Sequence, residues 1–257
     1  MTSNTPRAVF AAEWTKMWSI RSTSLTLLLT LVLSTGVSTL IGFSYRDSLE
    51  DVINFDSLFV GLYGVTLGQL ALVVFGVLIV GSEYSSGSIR ASLAAVPQRG
   101  LFFSGKILAG TLVALVCSMC TVIVTFISAQ AAFGPHGTTL SRDDVPIALV
   151  GAVVYLTLIC GFSMGVATIV RSSAISLGVL LPLLFLGSQG LGNIPALKPV
   201  LQYLPDQAGM ELMRIASPPD DTSVGPDYGP GIALVILSAW TAAALIGGYL
   251  VLRRRDA

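Results

Sequence analysis

Apolar residues along the chain gather into six uncharged runs of about 20 residues or more, the length a helix needs to cross a bilayer. They cover 24–44, 57–82, 107–133, 147–170, 172–193 and 231–252. A lipid-facing barrel strand would instead alternate with period two over about ten residues, and these runs are continuous. Each run therefore predicts one spanning helix. The fourth and fifth are separated only by Arg171 and its neighbours, which predicts a tightly linked antiparallel pair. The pattern predicts an all-α polytopic membrane protein with six transmembrane helices.

The connecting segments carry patterns of their own. Before the first run, Phe10, Trp14, Met17 and Trp18 recur at helical spacing, with Arg7 and Arg21 at the ends of the stripe. Aromatic rings at headgroup level and snorkelling cations predict an interfacial amphipathic helix in 1–23, ahead of a membrane domain over 24–252 and a tail over 253–257. Between the second and third runs, Ser85 or Ser86 can cap a helix that presents Ile89 and Leu93 on one face. Pro97 stops it, because the residue before a proline is pushed out of the α region. A short helix on the membrane surface, displaying Arg90 and Arg99, is expected within 83–106. The segment 194–230 predicts a helix start at Pro205 before Asp206, a short amphipathic turn carrying Met210, Met213 and Arg214, and then a loop rich in Pro, Asp and Gly.

Composition supports the bilayer: 53% of the side chains are hydrophobic and 11% charged, against roughly 25% charged in soluble domains. Such a chain is too apolar and too weakly charged for disorder. Fourteen Lys plus Arg balance fourteen Asp plus Glu, so there is no basic field to hold nucleic acid. Cations do set the orientation, since Lys and Arg collect in cytoplasmic loops. Arg7, Lys16, Arg21, Arg90, Arg99, Lys106, Arg171, Arg253, Arg254 and Arg255 fall on one side, whereas Arg46, Arg142, Lys198 and Arg214 fall on the other. Both termini are expected to be cytoplasmic, with Asp47, His136 and Asp220 outside. The first run is too long for a signal peptide and lacks a small-residue cleavage site, so it reads as retained. Eleven Arg against three Lys, with abundant Ala, Val and Gly, points to a bacterial plasma membrane.

No run contains an Asp, Glu, Lys, Arg or His, which argues against an ion-coupled carrier because proton and ion relays use such groups. Gln69, Gln130 and Gln189 either bond helices together or line a weakly polar path. Gly64 with Gly68, and Gly161 with Gly165, have the spacing for close helix approach. Three motifs suggest other chemistry. Gly100 to Lys106 satisfies the phosphate-loop pattern, but Ile107 stands where Ser or Thr would hold magnesium. Ser163 lies in a G-x-S-x-G sequence, yet the single histidine, His136, sits in a distant loop. Cys117 and Cys120, with Cys160, lack the polar surroundings and further ligands that redox or zinc chemistry needs.

The segment after the second run resembles the ABC-2 type (type V) permeases of ATP-binding-cassette exporters, through Glu83, Tyr84, Gly87, Ser88, Arg90, Leu93, Pro97, Arg99 and Lys106. The overall plan, an amphipathic N-terminal helix, six spans and a longer external segment before the last, is similar too. The resemblance implies that 83–106, with Ile89 supplying apolar contact, is a coupling helix seated in a cleft of a separate ATPase subunit. It also implies a second permease subunit, identical or a sister. ATP and magnesium would then be held by the ATPase and no cofactor by this chain, and segment 194–230 would partly re-enter the membrane. A hydrophobic or amphipathic cargo, such as a drug, peptide antibiotic or lipid, would move outward by alternating access. The competing reading is a six-helix membrane protein outside this class, either a scaffold or an intramembrane serine hydrolase.

Overall fold

The computed structural model describes residues 5–19, 21–46, 56–188, 196–216 and 225–254. Gln189, Asp47, Asp220, Arg255 and parts of segment 194–230 lie outside the described residues. Within them every regular element is helical: α1 (Pro6–Ser19), α2 (Arg21–Arg46), α3 (Ser57–Gly61), α4 (Val65–Ser86), α5 (Ile89–Ala95), α6 (Arg99–Phe133), α7 (Asp144–Val170), α8 (Ser173–Ser188), α9 (Lys198–Leu201), α10 (Pro205–Leu212) and α11 (Pro230–Arg254).

Five apolar segments are long enough to cross a bilayer: α2, α3 together with α4, α6, α7 and α11. The fifth run of the sequence is represented by α8, whose 16 described residues span about 24 Å at 1.5 Å each. That falls short of the roughly 30 Å of hydrocarbon, so the described residues show five spans where the sequence predicts six. The second run is divided at residues 62–64 and then continues as helix to Ser86, past its apolar end. The third begins two turns early, because α6 starts at Arg99 and reaches 35 residues.

Burial is arranged as lipid requires. On α2 the inward stripe is Thr23, Thr26, Thr30, Ser34, Ser38 and Gly42, while Leu25, Leu28, Val32, Leu40 and Phe43 face outward. Small and hydroxyl side chains let backbones approach, and large aliphatic ones can face lipid at no cost. A Cβ on Gly68 would come within 1.8 Å of Ser34 Oγ, and one on Gly64 within 2.4 Å of the Ser34 carbonyl. The α2–α4 contact therefore depends on both glycines. At the centre α4 and α7 are buried over most of their length, with α2, α6, α8 and α11 around them.

Candidate functional site

The site is built where α1, α4, α5 and α6 meet, at the end of the bundle carrying most of the cations. Gly105 opens it. A Cβ there would lie 2.9 Å from Val9 Cγ1, so its absence seats α1 directly on α6. One turn along α1, Glu13 reaches Lys106, whose Nζ donates to Glu13 Oε2 at 2.5 Å and to Glu83 Oε1 at 3.0 Å. Lys16, on the next turn of α1, also donates to Glu83 Oε1, lies 3.7 Å from Glu13 Oε1 and donates to Ser92 Oγ of α5 at 3.2 Å. Glu83 and Lys106 are each only 4% exposed.

Two carboxylates and two ammonium groups make the cluster neutral, which is the condition for holding charge away from water. Lys106 also stands 5.3 Å from the ring centroid of Phe102. Glu83 Oε2 is buried without a protein partner, beside a cavity of about 30 Å³ lined by Glu13, Lys16, Ser82, Glu83 and Lys106. That volume has room for a water to complete its bonding.

A left-handed turn separates this cluster from α5. Gly87 caps α4 at φ 72°, a conformation that costs a residue with a Cβ roughly 1 to 2 kcal/mol. A side chain there would meet nothing of the chain within 4 Å, so the backbone conformation is what demands glycine. Ser88 is the N-cap of α5, and Val96, before Pro97, is its C-cap. Ile89 is buried against Phe102 and Leu252, with Tyr84, Leu93, Val96 and Phe103 packed around them. Exposed on the other side are Arg90, Ala91, Ala94 and Pro97. Arg99 Nη1 donates to the carbonyls of Leu252 and Arg253 at 2.7 and 3.1 Å, and Arg171 Nη2 donates to that of Val251 at 3.1 Å. These two cations bind the open C-terminal carbonyls of α11, where positive charge is favoured.

Several sequence expectations need correction. Residues 83–106 do not form one coupling helix: α4 ends at Ser86, Gly87 caps it in the left-handed region, and the short α5 starts only at Ile89, so that Glu83 is on α4, Arg90 on α5 and Lys106 on α6. Glu83 points into the cluster, and Leu93 is half-buried on the inner face of α5. On α1 the buried stripe is Val9, Glu13 and Met17. Phe10 and Trp14 flank it, half-buried and 6.0 Å apart between ring centroids, and Trp18 is exposed. The four residues therefore split between protein-facing and outward positions. Glu13 and Lys16 were not expected at the site; being the only acid and the only lysine of the N-terminal segment, opposite in charge to Lys106 and Glu83, they were the available signal.

Gln69 and Gln130 fasten neighbouring elements together. Tyr155 donates its hydroxyl to Gln69 Oε1. Gln130 Nε2 donates to the Ser57 carbonyl at 3.1 Å, and its Oε1 accepts from Thr138 N at 2.8 Å. The phosphate-loop match from Gly100 to Lys106 is continuous α-helix, which turns its amides along the helix axis and away from any phosphate. Ser163 is fully buried and donates to the Cys160 carbonyl at 2.7 Å, while Gly165 packs against Ala244. Cys117, Cys120 and Cys160 are free thiols.

A bundle with outward-facing aliphatic surfaces, five helices long and apolar enough to cross a bilayer and a short surface helix braced by a neutral charge cluster define a polytopic membrane domain, although α1, with Glu13 buried and Trp18 exposed, is not the amphipathic helix the sequence predicts. The chain belongs to the ABC-2 family: the model of the ABC-2 family transporter protein matches residues 57–257, from α3 through the last span. The chain is accordingly a membrane transport subunit, and the reading as a scaffold or hydrolase outside this class falls away. No curated protein sequence matches the chain.

Proposed function

We propose that the chain is the permease subunit of an ATP-driven exporter and receives its work from a separate ATPase through α5. The observation that carries this reading is the two-sidedness of α5. Its inner face is anchored by Ile89, Leu93 and the Lys16–Ser92 bond. Its outer face, Arg90, Ala91, Ala94 and Pro97, is slim and singly charged, a shape suited to a cleft. ATP and magnesium belong to the partner. When its subunits close, α5 is pushed, and Lys16, Glu83, Lys106 and Glu13 pass the displacement to α1, α4 and α6 together.

A second permease copy or sister completes the pathway, and the cargo is hydrophobic or amphipathic. The distribution of Lys and Arg supports a cytoplasmic position for α5 and both termini, and the excess of Arg over Lys supports a bacterial plasma membrane. The test is co-purification of the ATPase together with transport in vesicles. Ala94→Trp should abolish both while the permease remains inserted, and Leu93→Asp should do so by detaching α5 from Phe102. Normal association and transport in both variants would remove the assignment of α5.

A further inference from the structure

At the opposite end of the bundle lies a carboxyl that the spans themselves do not contain. Gln69 and Glu83 are fourteen residues apart on α4, about 20 Å at 1.5 Å per residue. Close to Gln69, whose side chain is bonded to Tyr155 of α7, α10 packs against α11, α7 and α8, and Asp206 in its first turn is fully buried. Two glycines make the space. A Cβ on Gly187 of α8 would lie 2.0 Å from Asp206 Oδ2, and one on Gly209 2.0 Å from the Tyr155 ring. Gln207 Nε2 donates to Asp206 Oδ2 at 2.9 Å and to the Gly187 carbonyl at 2.8 Å. Asp206 Oδ1 and Gln69 Nε2 are both buried without a partner.

Among the described residues no cation balances this carboxyl. From α7 it faces Tyr155, whose hydroxyl is bonded to Gln69. The described α8 has no titratable side chain. Tyr228, just before α11, is within electrostatic reach. On its own segment, Glu211 is half-buried beside Arg214. Among the described residues, no Lys, Arg or His is paired with Asp206. An ionised carboxylate here would lack both water and a counter-ion, whereas a protonated one supplies a donor and removes the charge. Burial accordingly raises the group from 3.8 to about 6, against the opposing bonds from Gln207 and the local backbone.

We propose that Asp206 is a proton-binding site that locks α10 into the bundle: its carboxylate takes up one proton from solvent as α10 seats against α7, α8 and α11, and returns it when α10 leaves. This goes beyond the transport reading, and its test needs no ATPase. The full chain in lipid bilayers is titrated by infrared spectroscopy. A protonated-carboxyl band should disappear with a midpoint near pH 6, be absent in Asp206→Asn and persist in Glu211→Gln. In a background with the three cysteines replaced by alanine, Met210→Cys then reports α10 leaving the bundle.

The rise from 3.8 to about 6 predicts that, at about pH 7.5, Asp206→Asn slows its labelling by up to about a hundredfold. The ratio should approach one in acid. A band that is missing or survives Asp206→Asn, or labelling equal in both chains at every pH, overturns the proposal. Should Asp206→Asn fail to insert, the wild-type band, assigned with isotope-labelled aspartate, decides.

Discussion

Replacing Lys106 by methionine keeps most of the side-chain volume and removes one of the two cations from the charge cluster. Glu13 and Glu83, which share that ammonium at 2.5 and 3.0 Å, are left with Lys16 alone, whose side chain is 35% exposed. The cluster passes from neutral to one net negative charge inside the protein. Removing one member of a buried, hydrogen-bonded pair costs about 3 to 5 kcal/mol. The adjacent 30 Å³ space can admit a water and Lys16 remains within reach, so the expected loss lies at the lower end, about 3 kcal/mol.

Glu13→Gln in the same chain restores neutrality, so the double variant should recover about 2 kcal/mol of that loss. The assay is a double-mutant cycle of denaturant unfolding in mixed micelles, followed by the fluorescence of Trp14 and Trp18 on α1. Because Glu83 and Lys106 are buried, the coupling should hardly change with salt. Single variants that each cost under about 1 kcal/mol and simply add would show that the four charges do not act as one body.

Three further outcomes are expected. In intact cells, His136→Cys should react with an impermeant thiol reagent while Arg90→Cys is shielded, and the reverse pattern would invert the topology. The purified chain should show no ATP turnover, and Lys106→Ala should leave nucleotide binding by the full complex intact; turnover by the chain alone would contradict the division of labour. Stability should depend on pH through Asp206. Its folded value is raised from 3.8 to about 6, so the folded state holds a proton the unfolded state has lost. The unfolding free energy should then fall by about 3 kcal/mol in all as pH rises from about 3 to about 7, level off above, and lose this slope in Asp206→Asn; an unchanged slope in the variant would refute it.

Much of the architecture is legible in residue order, because lipid demands long uncharged helices and the family signature sits in one short segment. The interior of the site is less legible. Charge counting separates Glu83 and Lys106 from the spans and places them in a solvated loop, but α4 and α6 continue past their apolar ends and carry both inward. Pairing with Glu13 and Lys16 is a long-range event, invisible to local spacing. The aromatic stripe of α1 shows which residues suit an interface, yet the stripe that packs on α6 is offset from it, since Gly105 admits Val9 and Glu13, one turn on, pairs with Lys106.

Gly87 is readable as a breaker, although the left-handed cap that separates Glu83 from Arg90 appears only in its φ of 72°. Asp206 shows the same limit. Sequence finds no ionisable residue in any apolar run, and the fold then inserts one from a connecting segment.

Docking of the ATPase on α5 is tested most directly by site-specific photo-cross-linking. A photoreactive residue replaces Ala91 on the outer face of α5 in one sample and Leu108, exposed on the lipid-facing side of α6, in another, with the ABC ATPase co-expressed in its native membrane. The account predicts an adduct with the ATPase from position 91 that is lost in Ala94→Trp, and none from position 108. An ATPase adduct from position 108 with none from position 91 would contradict it.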